Sequence, residues 1–195
     1  LYGTVAGLGT HEVWAQVTRG DNEVLYTGGT RPAFLAHLNN FWQVSRSTYV
    51  QLGGTIALGS NPDDTLGSLR TRVGGIDARI TWRPPAQAKY REWTLRGEVL
   101  ALRQEYAGVG DTKRAGYVGT TYKLGSRWIA GVRYDYVEDP AGGIVRQVVP
   151  SLSMWQSEWV RLHAEWQHRR DAAGNTNLLA LQAVWSIGPH KHEIY

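Results

Sequence analysis

Apolar and polar side chains alternate along most of this chain, and the pattern is clearest near its C-terminus. One run sets four apolar residues against four polar neighbours: Val160, Leu162, Ala164 and Trp166 against Arg161, His163, Glu165 and Gln167. Side chains in a β-strand point alternately to opposite faces, so this period of two predicts a strand with one apolar and one polar face. A second such run covers 179–187 and follows the polar segment 169–177.

Similar runs predict about ten strands in the whole chain. They cover 1–7, 12–18, 33–44, 49–58, 70–82, 93–104, 114–124, 128–136, 145–155 and the C-terminal pair. The connections between these strands alternate in length. Short turns fall near Leu8, Ser45, Gly125 and Gln156, and long polar loops are predicted at 19–32, 59–69, 105–113, 137–144 and 169–177. The intermediate segment Arg83-Pro84-Pro85 ends a strand, because two prolines cannot donate to a strand ladder.

The alternation of short and long connections separates two classes of all-β fold. Bacterial outer-membrane barrels have short turns at one end and longer loops at the other. The crossovers of a β-sandwich fall irregularly, and its core could not bury unpaired the charges that recur on the polar face from Asp77 onward. The sequence therefore predicts an antiparallel, up-and-down transmembrane β-barrel. A soluble sandwich or a lipocalin-like barrel is the alternative.

The aromatic composition favours the membrane barrel. The chain has nine Trp and ten Tyr but only two Phe. Trp and Tyr combine an apolar ring with a polar tip, which suits a membrane interface. We expect a periplasmic aromatic girdle at the short-turn ends of the strands, formed by Trp42, Trp82, Trp93, Trp128, Trp155, Trp159 and Trp185.

Overall composition narrows the remaining possibilities. The chain has no Cys, which excludes disulfides, thiolate metal sites and Cys nucleophiles. Its net charge of +4 comes from scattered Lys and Arg rather than the concentrated patch that a nucleic-acid partner would need. No linker divides residues 1–195, so we expect one domain. No signal peptide opens the chain, so we expect either a mature protein or the C-terminal part of a longer one, and we favour the second.

The polar face is the expected lumen of the barrel. Its predicted lining residues are Asp77, Arg79, Arg96, Glu98, Arg133, Asp135, Arg161, His163 and Glu165. They would either select solutes in an open pore or form a salt-bridged ladder that fills a narrow one. Side chains nearly fill barrels of about eight strands, whereas porins of about 16 strands leave a channel.

Candidate chemistry elsewhere is weak. His190 and His192 could bind zinc together with Glu193, but a closed structural zinc site generally has four ligands, so we expect no metal site. A hydrolase would need a nucleophile, a base and an orienting group within hydrogen-bond reach. His163 with Asp135 or Glu165 is the best candidate set, and no Ser stands out beside it. We therefore predict neither an enzyme nor a cofactor.

Several longer motifs resemble a known group of proteins. They are Phe34-Leu35-Ala36-His37-Leu38-Asn39-Asn40-Phe41-Trp42, Thr81-Trp82-Arg83-Pro84-Pro85, Arg133-Tyr134-Asp135-Tyr136, Trp155-Gln156-Ser157-Glu158-Trp159-Val160-Arg161-Leu162 and Ser186-Ile187-Gly188-Pro189-His190. From about Thr30 onward the sequence resembles the C-terminal part of bacterial outer-membrane proteins labelled zinc-regulated or TonB-dependent receptors. The resemblance implies an outer-membrane barrel. The N-terminal plug and larger barrel of TonB-dependent receptors are not in this chain.

The expected function is passage or uptake of small polar or ionic solutes across the bacterial outer membrane. The alternative is a non-conducting structural or adhesive barrel, and an outer-membrane hydrolase is less well supported. Expected partners are outer-membrane lipid, the assembly machinery of that membrane, and small polar solutes or metal ions. No nucleic acid is expected.

Overall fold

Eleven β-strands make up almost all of the described chain. The structure is a computed structural model that describes residues 2–5, 9–20, 31–63, 67–106, 109–139 and 142–186. Its strands are β1 (Tyr2–Val5), β2 (Gly9–Arg19), β3 (Pro32–Gln43), β4 (Thr48–Asp63), β5 (Gly67–Trp82), β6 (Trp93–Tyr106), β7 (Val109–Leu124), β8 (Trp128–Glu138), β9 (Ile144–Trp155), β10 (Val160–Asp171) and β11 (Gly174–Trp185). A 3-10 turn at Pro85–Gln87 follows the predicted proline stop between β5 and β6.

All the strands belong to one antiparallel sheet. Each strand pairs with the next one along the chain, in the order β1 to β11. This confirms the prediction of an all-β, up-and-down fold: ten long strands follow the short β1. The sheet is not closed into a barrel, since no pairing joins β1 to β11 in the described part of the chain. The strands also form a single layer, unlike the two packed sheets of a sandwich.

The pairing register gives the sheet one apolar and one polar face. Leu162 lies opposite Ala183 on one face, and His163 lies opposite Gln182 on the other. The apolar face is uncovered: Ile76 is 71% exposed and Leu181 is 76% exposed. Among the described side chains, the buried apolar ones are Ala33, Ala57 and Val149. The sheet therefore has little apolar interior of its own.

The polar face is concave. A single cavity is lined by residues from β2 at one side of the sheet to the turn after β9 at the other. Strands that far apart can share a cavity only if the sheet curls around it. We call the two surfaces the concave polar face and the convex apolar face.

Three of the predicted long loops are wrong, because strands occupy most of them. Residues 59–69 continue as β4 and β5, which pair as far as Asp63 with Gly67. Residues 105–113 and 169–177 are likewise mostly paired strand. These segments are mostly polar in sequence, so the loss of apolar alternation marked the end of the apolar layer and not the end of the strands. Residues 21–30, in the loop predicted at 19–32, lie outside the described residues.

Local chemistry explains how the hairpin between β10 and β11 closes. The Asp171 carboxylate accepts a hydrogen bond from the Ala173 N–H at 2.9 Å, which holds the turn between β10 and β11. Gly174 then adopts a φ of 127°, a conformation that favours glycine. The predicted short turn at Gly125 also has a positive φ, of 79°.

Candidate functional site: the concave polar face

The nine residues predicted to line a lumen all lie on the concave polar face. Their positions follow from the register, which pairs Asp77 with Glu98 and Arg79 with Arg96 across β5 and β6. Across β7, Tyr117 lies between Glu98 and Asp135 of β8. In the same way, Gly119 lies between Arg96 and Arg133 of β8. Strand pairing thus brings to one surface charges that are far apart in the sequence.

The charges on β5, β6 and β8 form two parallel rows. Asp77, Glu98 and Asp135 make an acidic row, and Arg79, Arg96 and Arg133 make a basic row two residues away along each strand. Like charges directly opposite each other destabilise a sheet unless something compensates them. The neighbouring row of opposite sign supplies this compensation for the face as a whole.

Ion pairing within these rows is uneven. Arg133 Nε donates to Asp135 Oδ1 at 2.8 Å within β8. Arg79 and Arg96 form no ion pair with a described carboxylate, and both remain exposed on the concave face. Of the three arginines in the basic row, Arg133 alone forms an ion pair with a described carboxylate.

His37 of β3 lies beside Asp77, at the β5 end of the acidic row, and contacts residues of β4 and β5. His37 Nδ1 lies 2.7 Å from Thr55 Oγ1, and His37 Nε2 lies 4.0 Å from Asp77 Oδ2. Gly53 faces Asp77 across β4 and β5, and a Cβ at this glycine would collide with the Asp77 carboxylate. The missing side chain at Gly53 makes room for that carboxylate beside His37.

A second polar cluster contains a residue that the sequence reasoning missed. Ser153 Oγ lies 2.8 Å from His163 Nδ1, and His163 Nε2 lies 3.4 Å from Glu165 Oε2. The expectation that no Ser stands beside His163 is therefore wrong, because the β9–β10 register places Ser153 directly opposite it. Asp135, the other carboxylate considered, pairs with Arg133 instead.

This cluster has the residue types of a hydrolase triad but lacks one element of such a site. Acyl transfer needs donors aimed at the developing oxyanion. The backbone N–H groups around Ser153 and His163 are used in the pairing of β9 and β10 with their neighbours. The arrangement fits a hydrogen-bonded polar lining better than a catalytic centre.

A large cavity opens at the short-turn end of the concave face. Its volume is about 1700 Å³. Five basic side chains line it, Arg79, Arg83, Lys89, Lys123 and Arg127, against the two carboxylates Glu92 and Glu158. Glu92 is already paired with Arg83 at 3.5 Å. The cavity, which we call the basic vestibule, therefore presents a net positive charge.

Ion pairs also mark the opposite end of the concave face. Lys113 Nζ lies 3.0 Å from Asp111 Oδ2, and Arg169 Nε lies 3.0 Å from Asp171 Oδ2. The hydrogen bond from Lys113 lowers the pKa of Asp111 below its ordinary value, so this carboxylate stays ionised. Charges at this end are balanced, unlike those of the basic vestibule.

The tryptophans predicted to form a girdle lie at or next to the short-turn ends of their strands. Trp82 faces Trp93 across β5 and β6 on the convex face, and Trp128 faces Met154. Trp155 differs, because it lies on the concave face opposite Arg161, with its ring 5.9 Å from the Arg161 guanidinium carbon. Both Trp42 and Trp155 line the basic vestibule. The girdle itself stays a prediction.

The described residues contain no group of three or more potential metal ligands. The weak candidates His190 and His192 lie outside those residues. Within the described residues, no helix is long and apolar enough to cross a membrane.

Comparison with known proteins identifies no relative of this chain. No protein-family model, curated protein or solved structure matches it. The resemblance to outer-membrane receptors therefore stays an expectation from sequence motifs, and the fold and the two faces of the sheet carry the functional argument.

Proposed function

We propose that this chain forms the wall of a bacterial outer-membrane β-barrel that passes small polar and ionic solutes. The observation that carries the proposal is the contrast between the two faces of one sheet. Its convex face exposes large apolar side chains, while its concave face carries rows of charge and the basic vestibule. In a membrane barrel an apolar outer surface meets lipid and a polar inner surface meets water.

The height of the apolar layer supports a membrane span. On the convex face this layer covers 74–82 of β5 and 93–101 of β6, nine positions in each strand. A tilted strand needs about 9 to 11 residues to cross the hydrocarbon layer. The next residues on the same face are charged, Arg72 in β5 and Arg103 in β6. The apolar layer therefore has about the height of the hydrocarbon layer of a membrane.

Barrel closure completes the proposal. An open sheet edge is not tolerated in hydrocarbon, because its N–H and C=O groups have no water to bind. The two edge strands, β1 and β11, would therefore pair with each other or with further strands of the assembled protein. The second route gives the wider lumen.

The charge of the basic vestibule predicts which solutes pass most easily. Clefts lined by charge of one sign concentrate ions of the opposite sign. With five basic side chains and two carboxylates, the vestibule would attract anions. The exposed Arg96, which faces Arg79 across β5 and β6, extends this positive lining along the concave face.

Conductance of the full-length protein in planar lipid bilayers tests this function. Stable open steps, with a reversal potential that shows preference for chloride over potassium in a salt gradient, are expected. Silence in a membrane that demonstrably contains folded protein would contradict passage and support a non-conducting structural or adhesive barrel. The ion pair of Arg133 with Asp135 is the observation that favours this alternative, since paired charges can fill a lumen.

A further inference from the structure

Five arginines form a belt on the convex face just beyond its apolar layer. They are Arg72 of β5, Arg103 of β6, Arg114 of β7, Arg146 of β9 and Arg170 of β10, and all five are exposed. Each lies nine or ten residues from the short-turn end of its strand. The five therefore share one height on the sheet, which we call the arginine belt.

The belt brings like charges into direct opposition. Arg72 faces Arg103 across β5 and β6, and Arg146 faces Arg170 across β9 and β10. Like charges directly opposite each other on a sheet are destabilising unless a counter-charge lies between them. Two such pairs at one height are the arrangement that an anionic ligand would stabilise.

Two described carboxylates lie near the belt, but neither forms an ion pair with one of its facing arginines. Glu105, two residues from Arg103, accepts a hydrogen bond from the Arg70 N–H at 2.9 Å. None of the four paired arginines forms an ion pair with a described carboxylate. Glu138 lies near the belt, but it already accepts from the Arg114 N–H at 2.8 Å and lies 4.0 Å from the Arg114 guanidinium. By contrast, Arg133 and Arg169 on the concave face each have a carboxylate within 3.0 Å.

We propose that the arginine belt binds the phosphate groups of a phosphorylated lipid in one membrane leaflet, the one at the end of the strands opposite the short turns. This inference rests on the membrane assignment made above. Guanidinium groups bind phosphate with two parallel hydrogen bonds, and each facing pair of arginines presents two such groups to one phosphate. The apolar layer directly below the belt accommodates the acyl chains of the same molecule.

The height of the belt favours a lipid over free phosphate. Ten residues of a strand that rises about 3.3 Å per residue and is tilted by about 40° span roughly 25 Å, the height of the apolar band of such barrels. The belt thus lies where lipid headgroups begin. Exposed arginines facing bulk water would bind inorganic phosphate only weakly, since salt screens them.

The test uses the full-length protein refolded in zwitterionic phosphatidylcholine vesicles, with insertion checked first by protection from protease. The inserted protein is then transferred to detergent micelles and titrated with a bisphosphorylated disaccharide glycolipid, with the same lipid lacking its phosphates, or with inorganic phosphate. Native mass spectrometry counts the bound lipid. We expect saturable binding of the phosphorylated lipid alone.

Two double variants locate the binding. Each arginine near a membrane surface contributes about fivefold in affinity for anionic lipid, so R72Q/R103Q and R146Q/R170Q should each weaken binding roughly 20- to 30-fold. The matched control R46Q/R91Q removes two exposed arginines at the short-turn end and should leave binding unchanged.

Each outcome decides between the proposals. Equal binding of both lipids, equal loss in the control variant, or inorganic phosphate binding as tightly as the lipid would overturn the arginine belt while leaving the membrane assignment intact. Failure of the wild-type chain to insert into phosphatidylcholine would overturn the proposed function and the belt with it. If a variant does not fold, the comparison of the two lipids on the wild-type protein still decides.

Discussion

Ala164 lies directly opposite Leu181 across β10 and β11, on the convex face of the sheet. One residue later, Gln182 lies opposite His163 on the concave face. Neighbouring positions of a single strand therefore face two different environments. If the convex face meets lipid, these neighbours should respond very differently to the same added charge.

Leu181→Arg should impair folding into bilayers far more than Gln182→Arg. An arginine facing lipid near mid-membrane costs about 2 to 4 kcal/mol, whereas the lumen of a barrel tolerates polar changes. The measurement is urea titration of each variant refolded in phosphatidylcholine vesicles, with tryptophan fluorescence as the signal. Equal unfolding midpoints for the two variants would mean that β11 does not have one lipid-facing and one water-facing side.

Reversing two charges of the basic vestibule should reverse its ion preference. In K89E/K123E three basic and four acidic side chains would line the cavity instead of five and two. We expect the reversal potential of the full-length protein in a potassium chloride gradient to move from anion preference to cation preference. The control R46E changes a turn residue that does not line the vestibule and should leave the preference unchanged. An unchanged reversal potential in K89E/K123E would place the selective region elsewhere.

Two adjacent glycines of β4 should differ in what they tolerate. Gly53→Ala places a methyl group against the Asp77 carboxylate, while Gly54→Ala meets its nearest neighbour at 3.9 Å. Overpacking of this kind costs about 1 to 3 kcal/mol, so Gly53→Ala should lower the free energy of unfolding and Gly54→Ala should change it little. Denaturant unfolding in lipid vesicles compares the two. Similar stabilities would show that Asp77 can leave its position beside His37 at no cost.

The Ser153 cluster should stabilise the fold without performing chemistry. Ser153→Ala removes the hydroxyl hydrogen-bonded to His163, a loss of about 0.5 to 1.5 kcal/mol in stability. We expect no hydrolysis of p-nitrophenyl esters by wild-type protein or variant. Ester hydrolysis that is present in the wild type and lost in Ser153→Ala would establish the cluster as a catalytic centre.

The alternating pattern predicted the two faces of the sheet because a period of two depends only on local sequence. Leu162 and His163 lie on opposite faces, as their positions in the pattern require. The ends of the strands could not be read in the same way. Asn61, Pro62 and Asp63 resemble a loop, yet they belong to β4, because strand pairing continues where neither face is apolar.

Side-chain contacts between strands could not be predicted from the sequence, because they depend on the register in which the strands pair. The partnership of Ser153 with His163 requires knowing which residues of β9 and β10 face each other, and no local signal specifies this. The arginine belt was missed for the same reason. Arg72 and Arg103 are 31 positions apart in the chain and become neighbours only through the pairing of β5 with β6.

The most direct test of the membrane assignment is the dispersion of the unmodified chain refolded with and without detergent. Size-exclusion chromatography with light scattering gives the mass, and circular dichroism gives the β-content. The exposed apolar layer is far larger than the patches that soluble monomers expose, so we expect a monodisperse β-rich species only in detergent or lipid and aggregates without them. A monodisperse β-rich monomer in plain buffer would contradict the membrane assignment and make the polar face the solvent surface of a soluble protein.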